Sequence, residues 1–248
     1  MKLIQLLNII QYYKSHSNQI EEDIEKSELR FSLILLQNKL WQISNINDSI
    51  SKIKLDIYSS SILLRGLIEH YLIFFYSITE IEKNRNDLVG ISWYFIYKIA
   101  EDFKQENYIN KIKAIKSREQ INSLKQLQDK YPGLTQSDYE KINTIGNKFA
   151  KLDIIAKQLI NNIDALEQVP DKIRVNVELL EFYNKLSSYV HGGPMAELES
   201  SSFLSIEKNA DFRREKLISI SETLTYTSYC LFFDFINLST NNKYKNYR

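Results

Sequence analysis

Three residues in one apolar stretch carry most of the chemical potential of this chain. Between Ile62 and Ile78 the sequence is apolar on every helical face, yet Arg65, Glu69 and His70 lie inside it. Charges in such a place must be paired, hydrogen-bonded or turned toward a cleft, because an isolated buried charge is too costly to keep. At about 100° per residue, Arg65 and Glu69 share a face, roughly 40° apart, whereas His70 is turned about 140° from Arg65. A second polar set comes late: Asn184, Ser187, Ser188 and His191 recur at helical spacing, beside an apolar surface of Val177, Leu179, Leu180, Tyr183, Leu186 and Val190. If the two helices are neighbours, His191 moves a proton, Arg65 stabilises charge on phosphate oxygens, and Glu69 holds the arginine or tunes the histidine. That combination suits metal-independent attack on a phosphodiester. Each part also has a purely structural reading: an ion pair fixing register, a satisfied core histidine at His70, and a C-terminal helix stabiliser at His191.

The elements that must position these groups are helical. Three prolines and six glycines are few for 248 residues, and no proline occurs before Pro132. Apolar residues recur every three to four positions among Lys, Glu and Gln, and no run reads as a strand. The pattern predicts an all-α protein, a multi-helix bundle of about eight helices forming one domain over 1–248, with a possible subdivision near 132–135. Helices are expected over about 2–15, 18–45, 50–83 and 87–106, and the Lys-, Gln- and Ile-rich segment over about 108–130, with its weaker apolar face, is expected at the periphery. In the second of these Ile20, Ile24, Phe31, Leu35 and Trp41 would form the apolar stripe. Tyr131-Pro132-Gly133 is the clearest break, and Ser137-Asp138-Tyr139-Glu140 reads as a capping box opening the next helix. A further break is expected at Val169-Pro170-Asp171. A helix over about 172–191 should then stop at Gly192-Gly193-Pro194, because glycine takes the left-handed cap and proline cannot continue the helix. A serine-rich connection over 195–211 leads to a last helix ending near Leu238. The basic tail, 241–248, reads as a frayed terminus, with RNA contact as the alternative.

Composition narrows the function classes. Lys and Arg number 32 against 31 Asp and Glu, a formal net charge of +1, so any nucleic-acid binding must be local rather than driven by a global field. Cys230 is the single cysteine, and the histidines are His16, His70 and His191. No disulfide framework or multi-cysteine zinc site follows, and neither a metal nor another cofactor is expected. The apolar runs Tyr71–Tyr76 and Tyr229–Phe233 are far shorter than the ~20 residues of a spanning helix. The N-terminal Met-Lys-Leu-Ile-Gln-Leu-Leu segment lacks a small-residue cleavage site. A cytoplasmic protein without membrane partners is the expectation. Nucleophile elbows, phosphate-binding glycine loops, Rossmann fingerprints and HExxH helices are absent from the sequence.

Arg65-Gly-Leu-Ile-Glu-His70 resembles the Arg, four residues, His motif of the HEPN superfamily. The early Arg65-x-x-x-Glu69 together with the late Tyr183-x-x-Leu186-Ser187-x-x-Val190-His191-Gly192 is similar to a group of helical bacterial proteins. The resemblance covers about 25 of the 248 residues. It implies a helical bundle, often a homo-oligomer or the companion of a partner protein, that cleaves RNA without metal in toxin and antiviral defence systems. The site it implies is Arg65, Glu69 and His191, with His70, Ser187 and Tyr189 as further candidates. A non-enzymatic helical module that binds or regulates a partner in such a system is the alternative. A small-ligand or nucleotide-binding bundle is a third reading.

Overall fold

A computed structural model places the chain in an all-α bundle. It describes residues 2–53, 56–117, 128–150, 152–162, 177–194, 196–197, 207–240 and 243–247, and no strand occurs among them. The helices are α1 (Lys2–Glu25), α2 (Arg30–Lys52), α3 (Ile57–Asn84) and the short α4 (Leu88–Ile91). α4 runs through a π-helical segment, Ser92–Tyr97, into α5 (Lys98–Ser117). Then come α6 (Gln136–Ala150), α7 (Leu152–Asn162), α8 (Val177–Val190) and the long α9 (Glu207–Ser239), followed by a 3-10 turn at Lys245–Tyr247.

α3 is the axis of the bundle. Its continuous apolar surface leaves no face that water could solvate cheaply, so it is wrapped by α2, α4, α7, α8 and α9. Leu64, Leu67, Ile68, Leu72 and Phe74 are wholly buried. By length and composition α3 is the one described helix that could also cross a membrane; here 67% of its apolar window is buried against its neighbours. Phe149, Ile155 and Leu159, from beyond the Tyr131-Pro132-Gly133 break, join the same buried cluster as the residues of α1, α2 and α3.

Several expected boundaries move. The predicted break near residues 16–17 is absent: α1 continues to Glu25, the turn lies at 26–29, and Trp41 stands 65% exposed rather than in the apolar stripe. Within this helix His16 Nδ1 bonds back to the Tyr12 carbonyl at 2.9 Å and its ring stacks on the Tyr12 ring. The capping box forms one pair earlier than predicted. Thr135 Oγ accepts from the Asp138 backbone N–H at 3.2 Å, and Asp138 accepts from the Thr135 N–H at 3.0 Å, so Thr135 and Asp138 satisfy each other's backbone donors. α9 begins at Glu207, inside the expected serine-rich connection, whose residues 195 and 198–206 lie outside the described residues. So does the expected break at 169–171.

Residues 243–247 of the C-terminal tail are docked rather than frayed. Tyr244 is 1% exposed, its hydroxyl donates to Asp23 at 2.6 Å, and its backbone exchanges two hydrogen bonds with the Asn237 amide. Lys243 pairs with the same Asp23 at 2.8 Å, and Tyr247 donates to Asp234. The stop of α8 follows expectation: Gly192 is left-handed, with φ of 59°, and Gly193 N–H donates to the Ser188 carbonyl at 2.9 Å, closing a Schellman motif.

α2 is capped from a distance. Leu29 at its N-cap offers no side-chain acceptor, and Asp87, just before α4, supplies both oxygens: Phe31 N–H donates at 2.9 Å and Ser32 N–H at 2.6 Å. Gly90 N–H then donates to Ser32 Oγ at 3.1 Å. This locks α4 onto the start of α2 so closely that a Cβ at Gly90 would lie 2.2 Å from Ser32 N. Gly90→Ala should therefore lower stability by about 2 kcal/mol or more, and Asp87→Ala by about 1 kcal/mol, in chemical denaturation. A near-neutral Gly90→Ala would show that α4 can slide on α2.

Candidate functional site

The two polar segments, more than a hundred residues apart in sequence, meet where α3 crosses α8. The Arg65 guanidinium ion-pairs with Glu69 Oε1 at 2.7 Å, donates from Nε to Ser187 Oγ at 3.1 Å and from Nη2 to the Tyr183 hydroxyl at 2.8 Å. The Tyr183 hydroxyl in turn donates to Glu69 Oε1 at 2.8 Å, and its ring lies 4.9 Å from the guanidinium carbon. Ser187 Oγ donates to the Tyr183 carbonyl one turn back, which orients its lone pairs toward Arg65. The Arg65 and Glu69 side chains are 20% and 30% exposed, so the network sits at the mouth of the crossing rather than in the dry core. Burial, followed by the bond to the Glu69 carboxylate and that group's charge, pushes the Tyr183 hydroxyl well above the ordinary phenol range; the nearby Arg65 opposes this only in part. Tyr183 is thus a permanent donor to Glu69.

Arginine carries five N–H donors, and three serve this network. The other two have no hydrogen-bond partner among the described residues. The sequence expectation that Arg65 and Glu69 look out together is what the geometry displays. Tyr183, read from the sequence as part of the apolar surface of α8, is instead the residue that joins its polar face to α3.

His191 lies one turn beyond Ser187, at the exposed end of α8. Its backbone N–H donates to the Ser187 carbonyl at 3.3 Å, but its imidazole is not part of the Arg65 network. Tyr189 is buried, and its carbonyl accepts from the Tyr58 hydroxyl at 2.7 Å, which ties the C-terminal turn of α8 to the start of α3. Beside this crossing is a groove of about 220 Å³ lined by Ser61 of α3, Phe182, Lys185 and Leu186 of α8, and Phe212, Arg213 and Lys216 of α9. Ser61 lies one helical turn before Arg65, so the groove continues the Arg65 face of α3. Phe212 is 69% exposed there. Local positive charge with an exposed aromatic ring is the combination used to track a phosphate backbone and stack its bases.

His70 faces the opposite way. Its Nδ1 lies 3.4 Å from the Nζ of Lys39 on α2, a residue only 5% exposed. The two face a larger cavity, about 480 Å³, lined also by Glu69, Trp93, Tyr94, Tyr97, Lys98 and Glu101. Sequence reasoning missed Lys39. The signal existed: Leu36, Lys39, Leu40 and Ile43 follow the helical spacing of one buried stripe, in which a lysine is out of place. Among the described residues no group of three His, Cys, Asp or Glu side chains is placed to hold a metal ion. Comparison of the chain with protein-family models, curated proteins and solved structures finds no match.

Two outcomes follow from these contacts. Tyr183→Phe removes the hydroxyl bridging Arg65 and Glu69 and should cost about 1 to 2 kcal/mol in denaturant unfolding. An unchanged midpoint would show that the network holds nothing together. Burial, helped by the Lys39 charge, pushes the His70 imidazole down to about 4 from its ordinary 6.5. The unfolded chain then binds a proton that the folded one refuses, so stability falls as pH drops from 6.5 toward 4. His70→Gln should flatten that limb of the stability–pH curve; an identical slope in the variant would remove His70 as its source.

Proposed function

We propose that the protein is a metal-independent endoribonuclease of the HEPN-like kind, acting where α3 crosses α8, as a toxin or effector of a prokaryotic defence system. The observation that carries this reading is the convergence of Arg65, Glu69, Tyr183 and Ser187 on one partly open site. RNA lies along the groove bearing Lys185, Arg213 and Lys216, with a base against Phe212, and brings one phosphate to the two remaining donors of Arg65. His191 takes the proton of the 2′-hydroxyl, whose oxygen bonds to phosphorus as the bond to the 5′-oxygen breaks. The imidazolium so formed returns the proton to that departing oxygen. Arg65 neutralises charge on the non-bridging oxygens, while Glu69 and Tyr183 fix the guanidinium plane. The products are a 2′,3′-cyclic phosphate and a 5′-hydroxyl end.

A second reading has its own support. Arg65, Glu69, Tyr183 and Ser187 also satisfy one another, and the overall charge is nearly balanced, as suits a helical module that binds or regulates a partner protein. Incubating the protein with mixed cellular RNA in EDTA separates the two. The ribonuclease reading expects cleavage by wild type, loss of at least a hundredfold in His191→Ala with the fold retained, and a similar loss in Arg65→Ala with some loss of stability. Wild-type-like cleavage by His191→Ala would overturn the mechanism, and no cleavage by wild type would favour the binding module.

A further inference from the structure

The cavity on the His70 side of α3, which shares Glu69 with the α3–α8 crossing, contains a lysine in an unusual setting. Lys39 is 5% exposed, yet no carboxylate oxygen lies within ion-pair distance of its Nζ among the described residues. Its Nζ hydrogen-bonds with His70 Nδ1 at 3.4 Å and lies over the Trp93 ring, 4.2 Å from the centroid, as a cation–π contact. Most lysines reach solvent with the ammonium or pair with an acid; Lys39 does neither. Here the amine is held on a short leash, facing an open cavity of about 480 Å³ that has room for a small aromatic molecule.

The wall against Lys39 is built by the π-helical segment. Its i→i+5 turn is rarer and wider than an α-turn, and such turns recur at functional sites. It brings Trp93 and Tyr97 together at 5.0 Å, and each packs on Phe149, at 5.1 and 5.7 Å. The result is an aromatic wall of tilted and edge-on rings beside an amine and an imidazole.

We propose that Lys39 is a carbonyl-reactive amine, and that this cavity binds a small aromatic aldehyde or ketone as an imine on its Nζ. The Nζ lone pair adds to the carbonyl carbon, and the proton shed by nitrogen moves by way of His70 to the carbonyl oxygen, giving the carbinolamine. That hydroxyl leaves as water, carrying one further proton, as the C=N bond forms, so the condensation releases one water and transfers no electrons. Trp93 and Tyr97 stack on the ring of the bound compound. His70 is a positioning and proton-transfer residue, and its Nδ1 serves as acceptor when the ring carries its proton on Nε2.

The electrostatics of the pocket are consistent with this role. Burial lowers the Lys39 ammonium to about 8 from 10.5, against the opposing charges of Glu101 and then Glu69. The charged and titratable groups facing it are Glu69 and His70 on α3, Tyr94 and Tyr97 on the π-helical segment, and Lys98 and Glu101 on α5. Near neutral pH an appreciable share of Lys39 is therefore free amine, whereas exposed lysines stay almost fully protonated.

The test uses the full chain with benzaldehyde at one equivalent and sodium cyanoborohydride at pH 7.5, followed by peptide mapping. The expected result is a benzyl adduct on Lys39 formed at least tenfold faster than on exposed lysines such as Lys52, with the rate reduced in His70→Gln. Lys39→Arg keeps a cation and should lose the fast adduct. Labelling of Lys39 no faster than of Lys52 in the wild-type protein would overturn the proposal without requiring any variant to fold, and would leave the ribonuclease reading untouched.

Discussion

Every feature of this molecule depends on the burial of α3. A helix apolar on all faces can be stable in a bundle only when other helices cover it, and five do so here. Once covered, Arg65, Glu69 and His70 keep only partial access to water, so each is answered from a neighbouring helix. Arg65 and Glu69 are answered by Tyr183 and Ser187 of α8, and His70 by Lys39 of α2. The two polar sites are consequences of one packing constraint, placed on opposite sides of the same helix by its 3.6-residue repeat.

The two sites differ in how that constraint is met. At the α3–α8 crossing the charges are compensated: a carboxylate, a guanidinium and two hydroxyls are joined at a partly open mouth. In the Lys39 cavity the compensation is incomplete, because the acids that line it, Glu69 and Glu101, act on the amine through charge rather than through contact. Glu69 belongs to both, since it binds Arg65 and Tyr183 on one side and lines the Lys39 cavity on the other.

Capping shows the same division of labour on a smaller scale. α2 has no local cap and draws one from Asp87, while α6 carries its own in Thr135 and Asp138. The tail likewise gains order from distant partners: Asp23 of α1 holds Lys243 and Tyr244, and Asp234 of α9 holds Tyr247. None of these long-range pairings has a spacing that the linear chain displays.

What the sequence determined by itself is what depends on short range. The scarcity of proline and glycine and the three-to-four residue recurrence of apolar side chains dictate helices. The unbroken apolar run dictates that α3 is central, and the 100° step dictates that Arg65 and Glu69 share a face that His70 does not. The Gly192-Gly193 stop is likewise local, since the left-handed turn needs no outside partner. Tertiary structure decided which helix answers which charge. Tyr183 reads as apolar surface until Arg65 is placed against its hydroxyl, and Lys39 reads as one polar residue among many until α2 turns it inward against His70. Long-range partners are set by the packing of surfaces that lie far apart in the chain, and that packing leaves no periodic trace at either end of the contact.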